Sequence, residues 1–444
     1  MKDIPKEAEP SRVAEGPKQG GEIQARWYWV EAEVWSERML TTLERGIEGG
    51  KWFALIDKVW SEKNLSLSID KVVENGGCAG IDRQNVRQMA DHKEKEVKRL
   101  RKELEEGLYQ PAALKRHWIP KPGSNELRPL GIPAVRDRVV ESAVRHVIEP
   151  IFERDFAPQS YGFRPGKGCK DALREVEQLL KSGYTYVVDA DLKSYFDTIP
   201  HEGLMERIRE KIADGRMLAL IESMLKRGVM EGLKDWEPTE QGAPQGAVIS
   251  PLLANIYLDP LDRKMAKGER KMARYADDFV ILCQSESEAK AALEEVRQWT
   301  GENGLTLHPK KTRIVNVNEP GGFDFLGYHF ERGMKWPRKK SMDKIKDTIR
   351  MKTRRKDGHS VKEICAELNR TMRGWFEYFK HSKRNTFKSV DGYIRGRIRS
   401  ILRKRLGLKG RGRGRDHQRW PNIYFTAQGL VSLDHAFEAA RQSR

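Results

Sequence analysis

Two apolar runs that carry aspartates set the narrowest limit on how this chain can fold. YTYVVDADL, residues 184–192, has the β-branched and aromatic residues of a buried strand before its acidic end. KMARYADDFVILC, residues 271–283, divides into two apolar arms around Ala276 to Asp278. The first predicts a strand, and the second a β-hairpin with its acids at the tip. Period-two alternation puts Asp189 and Asp191 on one face of the first strand, while Asp197 falls beyond its end.

Carboxylates in apolar surroundings are unfavourable unless paired, hydrogen-bonded or bound to a cation. A hard divalent ion such as Mg²⁺ answers that need, because it takes oxygen ligands from one or two carboxylates and completes its shell with substrate phosphates. Two such ions about 4 Å apart activate an attacking hydroxyl and stabilise a leaving pyrophosphate in polymerases and nucleases. The alternative reading is that Asp277 and Asp278 are polar turn residues, since Asp is common at hairpin tips.

Composition narrows the partner. The 444 residues hold 83 Lys and Arg against 65 Asp and Glu, a formal charge of +18. That excess favours a polyanion, and nucleic acid is the usual one, because each neutralised phosphate releases counterions. Cys78, Cys169, Cys283 and Cys365 lie far apart with no C-x-x-C pair, which argues against a zinc module or disulfide framework and for reduced thiols. With no apolar leader and no run long enough to span a bilayer, the expectation is a cytoplasmic, nucleic-acid-associated protein without a membrane partner.

Along the chain, residues 1 to about 25 read as a disordered tail rich in Pro, Gly, Glu and Lys. Residues 25–47 read as helical with three core Trp, and residues 86–107 as a charged helix stopped by Gly107. HWIPKPGSNELRPLGIP predicts a hairpin around a PGSNE turn, followed by a helix that repeats Val139, Ala143, Val147 and Ile151 until Pro150 weakens its end. Ser250 and Pro251 are a predicted helix start. Beyond about residue 335 the pattern is helical and basic, with one apolar face from Val361 to Phe379, and KGRGRGR at 409–415 reads as a flexible basic strap.

Eight blocks in order then carry a resemblance. VENGGCAGIDRQNV resembles the N-terminal extension of the group II intron-encoded reverse transcriptase/maturases, and RPLGIPAVRDRVVESAV and SYGFRPGKGCKDAL resemble their fingers blocks. VVDADLKSYFDTIPH, QGAPQGAVISPLLANIYLDPLD, YADD, GLTLHPKKTRIV and FDFLGYHF follow in the family's palm order. The similarity runs from about Leu55 to the C-terminus and implies an α+β right-hand polymerase, with antiparallel sheet and helices in fingers and palm followed by a helical thumb. The implied divisions are a tail at 1–25, an N-terminal extension and start of fingers at 26–110, fingers and palm at 111–335, thumb/maturase at 336–408, and the strap with a short DNA-binding-like tail at 409–444. No Cys-paired HNH endonuclease module occurs in these residues, so the resemblance is to the short form.

Carried over position by position, the resemblance makes Asp191, Asp277 and Asp278 the catalytic, metal-binding acids, and it demotes Asp189 and Asp197. Phe196 matches the bulky gate against a ribose 2′-hydroxyl, the alternative being a core Phe behind the strand. Lys121 and Arg128 resemble the cations that hold the triphosphate, and Gln245 and Gly246 the segment under the nascent base pair. The simpler readings are solvated hairpin charges and a Pro-Gly turn. Lys310 and Lys311 are set aside as solvated loop residues, and Phe325 to Gly327 resemble the primer-grip hairpin. The implied activity is RNA-directed DNA synthesis with two Mg²⁺ ions, Mn²⁺ being a substitute. The implied partners are intron RNA, a DNA primer or target, and dNTPs, with splicing assistance and retrohoming as further roles. A mainly RNA-binding splicing cofactor, an RNA-copying RNA polymerase, and a domesticated relative in DNA repair or defence are the alternatives.

Overall fold

The computed structural model describes residues 20–47, 49–120, 127–231, 235–237, 239–356, 358–410, 412 and 414–442. It divides into two compact units, one built from residues up to Arg116 with Gly131–Phe156 and His201–Ile256, the other from His117–Leu130, Ala157–Pro200 and Tyr257–Arg444.

The first unit is mainly helical. Helix Val135–Glu153 is buried nearly all round, with Val139, Ala143 and Val147 fully enclosed, which makes it the element that its neighbours cover. It continues through Pro150 and ends soon after, at Glu153. Asp214 caps helix Gly215–Lys226, accepting from the backbone N–H groups of Arg216 and Met217 while also accepting from Leu55 at 2.6 Å and Ile56 at 2.9 Å. Residues 25–47 are not one helix. Gly20–Arg26 and Glu37–Arg45 are separated by turns from which Trp27 and Trp35 enter the core, and Trp29 stays partly exposed. Ordered structure thus begins before Ala25, and residues 1–19 of the expected tail lie outside the described residues. Residues 86–107 form two pieces, Val86–Asp91 with an Asn85 capping box and Lys93–Glu105, before Gly107 at φ +72°.

The second unit is organised by a four-stranded antiparallel sheet. Strand Tyr186–Asp191 lies between Asp278–Cys283 and Arg313–Asn316, and Lys271–Tyr275 pairs on the outer side of Asp278–Cys283. Val187, Val280 and Leu282 on one face join Ala172, Leu173 and Val176 of helix Cys169–Lys181 in a single apolar cluster. By alternation Asp191 shares the face of Val187, and Asp278 the face of Val280. Phe325 ends one strand and Tyr328 begins the next, with Leu326 and Gly327 both at positive φ, the geometry of a tight two-residue hairpin turn.

Helices Lys339–Lys352, Val361–Phe379 and Asn385–Arg405 form a further core. The expected apolar face from Val361 to Phe379 is buried, except that Trp375 is partly exposed. Trp420, Phe425, Leu430 and Leu433 enter that same core, so the last described residues pack with these helices. Within the strap, Gly412 lies so close to Arg399 that a Cβ would fall 2.6 Å from that side chain, and Arg403 donates to the Lys409 carbonyl at 2.5 Å. At Gly412 the missing side chain permits that close approach. Residues 411 and 413 lie outside the described residues.

Candidate active site

The end of one strand meets the start of another. Asp191 closes strand Tyr186–Asp191, Asp278 opens strand Asp278–Cys283, and the two are direct Cα partners. Asp277 precedes Asp278 in a two-residue turn with Ala276 at φ +59°, a left-handed conformation uncommon outside Gly, Asn and Asp. The hairpin expected from the sequence is therefore present, with its acids at the tip.

Buried contacts hold that turn. The Arg274 guanidinium, fully enclosed, donates to Asp262 at 2.8 and 2.5 Å and to the Ala276 carbonyl at 2.8 Å. The Arg274 backbone is stitched to the 159–161 segment, accepting from Tyr161 N–H at 2.8 Å and donating to Gln159 at 3.0 Å. Gly162 then presses against the turn, where a Cβ would lie 2.3 Å from the Ala276 nitrogen. Only a residue without a side chain fits that approach.

The carboxylates repel each other and are poorly solvated. Burial, followed by the charges of Asp189, Asp277 and Asp191, pushes Asp278 up to about 7, against the opposing effect of Arg338. Burial, reinforced by Asp191, raises Asp277, while Arg128 and Lys311 oppose the shift. Lys311 Nζ sits 2.5 Å from Asp191 Oδ2, and Arg313 sits 3.2 Å from Asp189 Oδ2. Among the described residues no three His, Cys, Asp or Glu side chains converge into a ready-made metal cage. An all-oxygen set in which buried acids resist ionisation still fits Mg²⁺, which needs only one or two carboxylates and takes its remaining ligands from water and phosphate.

Arg128 lies on strand Leu127–Ile132, close enough for its charge to act on Asp277. Lys121 and the PGSNE turn lie outside the described residues. Phe196 is partly exposed in the short helix Tyr195–Thr198, and its ring meets that of the buried Tyr195 edge-on with centroids 5.6 Å apart. Gln245 and Gly246 belong to the first unit, where the Gln245 carbonyl accepts from Gly131 at 2.9 Å and Gly246 has φ +108°. Ser250 is the first residue of helix Ser250–Lys267, but its hydroxyl makes no capping hydrogen bond among the described residues.

Sequence reasoning set Lys311 aside and overlooked Arg274, Asp262 and Gly162. The available signal for Arg274 was a charge inside an apolar strand, which demands a buried partner. Gly162 and Lys311 carried no such signal, because each acts on residues distant in the chain.

Comparison with known proteins gives the family. Residues 119–330 match the model described as reverse transcriptase (RNA-dependent DNA polymerase), and residues 342–420 match that of the group II intron maturase-specific domain. Protein YkfC of Escherichia coli is 38% identical over 293 residues, covering 57% of this chain and 76% of that protein. The group II intron-encoded protein LtrA of Lactococcus lactis is 39% identical over 187 residues, covering 42% of this chain but only 31% of its own length. Among solved structures, a Candida albicans telomerase in complex with a telomeric RNA fragment aligns over 76% of this chain and 67% of its own, at 12% identity and a TM-score of 0.41. A partial Cas6-RT-Cas1–Cas2 complex aligns over 56% of this chain and 41% of its own, at 25% identity and a TM-score of 0.35. These two structural likenesses add nothing to the assignment, which rests on the two family models and on YkfC and LtrA: the chain belongs to the group II intron reverse transcriptase/maturases, a family of RNA-directed DNA polymerases.

Proposed function

We propose that the chain extends a DNA 3′-hydroxyl along an intron RNA template by two-metal nucleotidyl transfer, and that its C-terminal helices bind intron RNA to assist splicing and retrohoming. The observation that carries the polymerase half is the register pairing of Asp191 with Asp278, with Asp277 in the adjoining turn. Bound Mg²⁺, or Mn²⁺ in its place, supplies activation of the attacking hydroxyl and stabilisation of the leaving pyrophosphate.

The chain's own residues do the rest. Asp191, Asp277 and Asp278 present oxygens from two strands and a turn. Arg128, with Lys121 on the same predicted hairpin, neutralises the triphosphate, a role that phosphoryl transfer rewards because positioning and charge dominate it. Phe196, which is partly exposed, is assigned the space that a ribose 2′-hydroxyl would need. Gln245 and Gly246 back the nascent base pair. The maturase half is supported by the match over residues 342–420 and by the basic last turn of helix Asn385–Arg405, with Arg403, Lys404 and Arg405.

Primer extension on an RNA template separates the readings: products should form with dNTPs and far less with NTPs. Equal use of both would remove the gate assigned to Phe196. Splicing of a group II intron RNA at low Mg²⁺ should quicken when the protein is added, and no effect at any protein concentration would remove the maturase half.

A further inference from the structure

Phe163 has no part in the site described above, yet its placement is unusual. Its backbone is left-handed at φ +55° and the residue is 48% exposed. A bulky residue in that conformation is strained, and such strain persists where the surroundings over-determine it, often at ligand sites. The loop around it is firmly tied. Arg164, itself buried, donates to the carbonyls of Ala157 at 2.6 Å and Ser160 at 2.9 Å. Ser160 bridges Arg274 in parallel and Gly162 abuts Ala276, so Phe163 comes level with Asp277. Its ring centroid is 6.1 Å from that of Tyr275, tilted by 43°.

The sheet order fixes the side on which this aromatic pair lies. The Asp191 strand, which leads to Phe196, flanks the Asp278 strand on one side; the Arg274 strand and the 160–163 loop flank it on the other. In the proposed reaction the ribose of the incoming nucleotide lies against Phe196, on the Asp191 side. The flank of Tyr275 and Phe163 is then left for the strand being extended.

We infer that Phe163 is a binding residue for the nucleoside at the 3′ end of the primer strand, its exposed ring packing on the terminal base and sugar beside Asp277. The inference rests on the polymerase reading. Nucleic-acid bases stack on exposed aromatic rings regardless of sequence, and a ring pre-set on a rigid loop loses little entropy on contact.

The test is equilibrium binding of the full chain, without dNTPs, to two RNA-template/DNA-primer duplexes, one ending in an ordinary nucleotide and one in an abasic sugar. Phe163→Leu should weaken binding of the ordinary end about tenfold, within the range of single base–aromatic stacks, and change the abasic end less than about twofold. Phe163→Trp should restore the preference. Phe163→Gly should lose the same preference without lowering the melting temperature, because glycine removes the backbone strain. Equal weakening of both ends by Phe163→Leu, or an unchanged preference, overturns the inference. Extension of the ordinary primer by the unmodified chain is scored separately. A chain that extends but shows no base-dependent Phe163 effect refutes only this contact, and a chain that shows the effect but never extends refutes the polymerase reading.

Discussion

Asp191 and Asp278 stand directly opposite one another across two neighbouring antiparallel strands, and Lys311 already rests on the first while burial and three acids press on the second. The site thus sets acid against acid, offset in part by Lys311. Its behaviour toward protons and divalent ions follows from that.

Asp278 has a folded-state pKa pushed up to about 7 from an ordinary value near 3.8. An acid raised in this way favours the folded state at low pH, and that advantage is lost as pH climbs from about 4 through 7. A divalent ion held as proposed would compete with the proton for the same oxygens. Mg²⁺ should therefore raise the melting temperature more at pH 8 than at pH 5.5, as followed by thermal unfolding. Asp278→Asn should remove most of that difference, and an equal gain at both pH values in the unmodified chain would contradict the assignment.

Lys311 competes for Asp191 at 2.5 Å, but its side chain is 61% exposed, so the ion pair contributes about 1 kcal/mol at most. Lys311→Met should tighten Mn²⁺ binding to the protein alone by up to about fivefold, read from the free-ion signal in electron paramagnetic resonance. Weaker Mn²⁺ binding would mean that the lysine does not oppose the ion.

The Arg274–Asp262 pair is enclosed on both sides, and the same guanidinium holds the Ala276 carbonyl. Removing one partner leaves a buried charge without compensation, at a cost of about 3–5 kcal/mol. Asp262→Asn should lower the urea midpoint accordingly and slow primer extension. The double replacement Asp262→Leu with Arg274→Met should recover part of the stability but not the extension rate, since the turn loses its donor.

His146 is pushed down to about 3 by burial first, then by the charges of Lys71 and Arg145, and it contacts Asn64 Oδ1 at 2.9 Å. A neutral folded histidine contributes stability above about pH 6.5, and that contribution is lost as pH falls toward 3 because the unfolded chain takes up the proton. The loss can reach about 1.4 kcal/mol per pH unit. Chemical denaturation between pH 6.5 and 4 should show this slope, and His146→Gln should flatten it.

The hairpin of Asp277 and Asp278 was legible because acids interrupting an apolar run leave few local solutions. Its pairing with Asp191 was legible only through family resemblance, since nothing in either run specifies its distant partner. The two Trp of residues 25–47 that enter the core do so from turns, and their spacing there imitates a helix. Lys311 and Gly162 were unreadable for a different reason: an exposed lysine and a loop glycine have many ordinary uses, and only tertiary contact gives these two a specific one. In KGRGRGR the glycines read as flexibility, and nothing in the run marks Gly412 as the point where the backbone comes close to Arg399.

Asp191, Asp277 and Asp278 are proposed to form one catalytic metal site. Asp277→Asn keeps the shape of the side chain and removes its charge. RNA-templated primer extension by this variant should fall by at least about a hundredfold, while its affinity for the template RNA stays within about twofold. Extension at the unmodified rate would contradict the account.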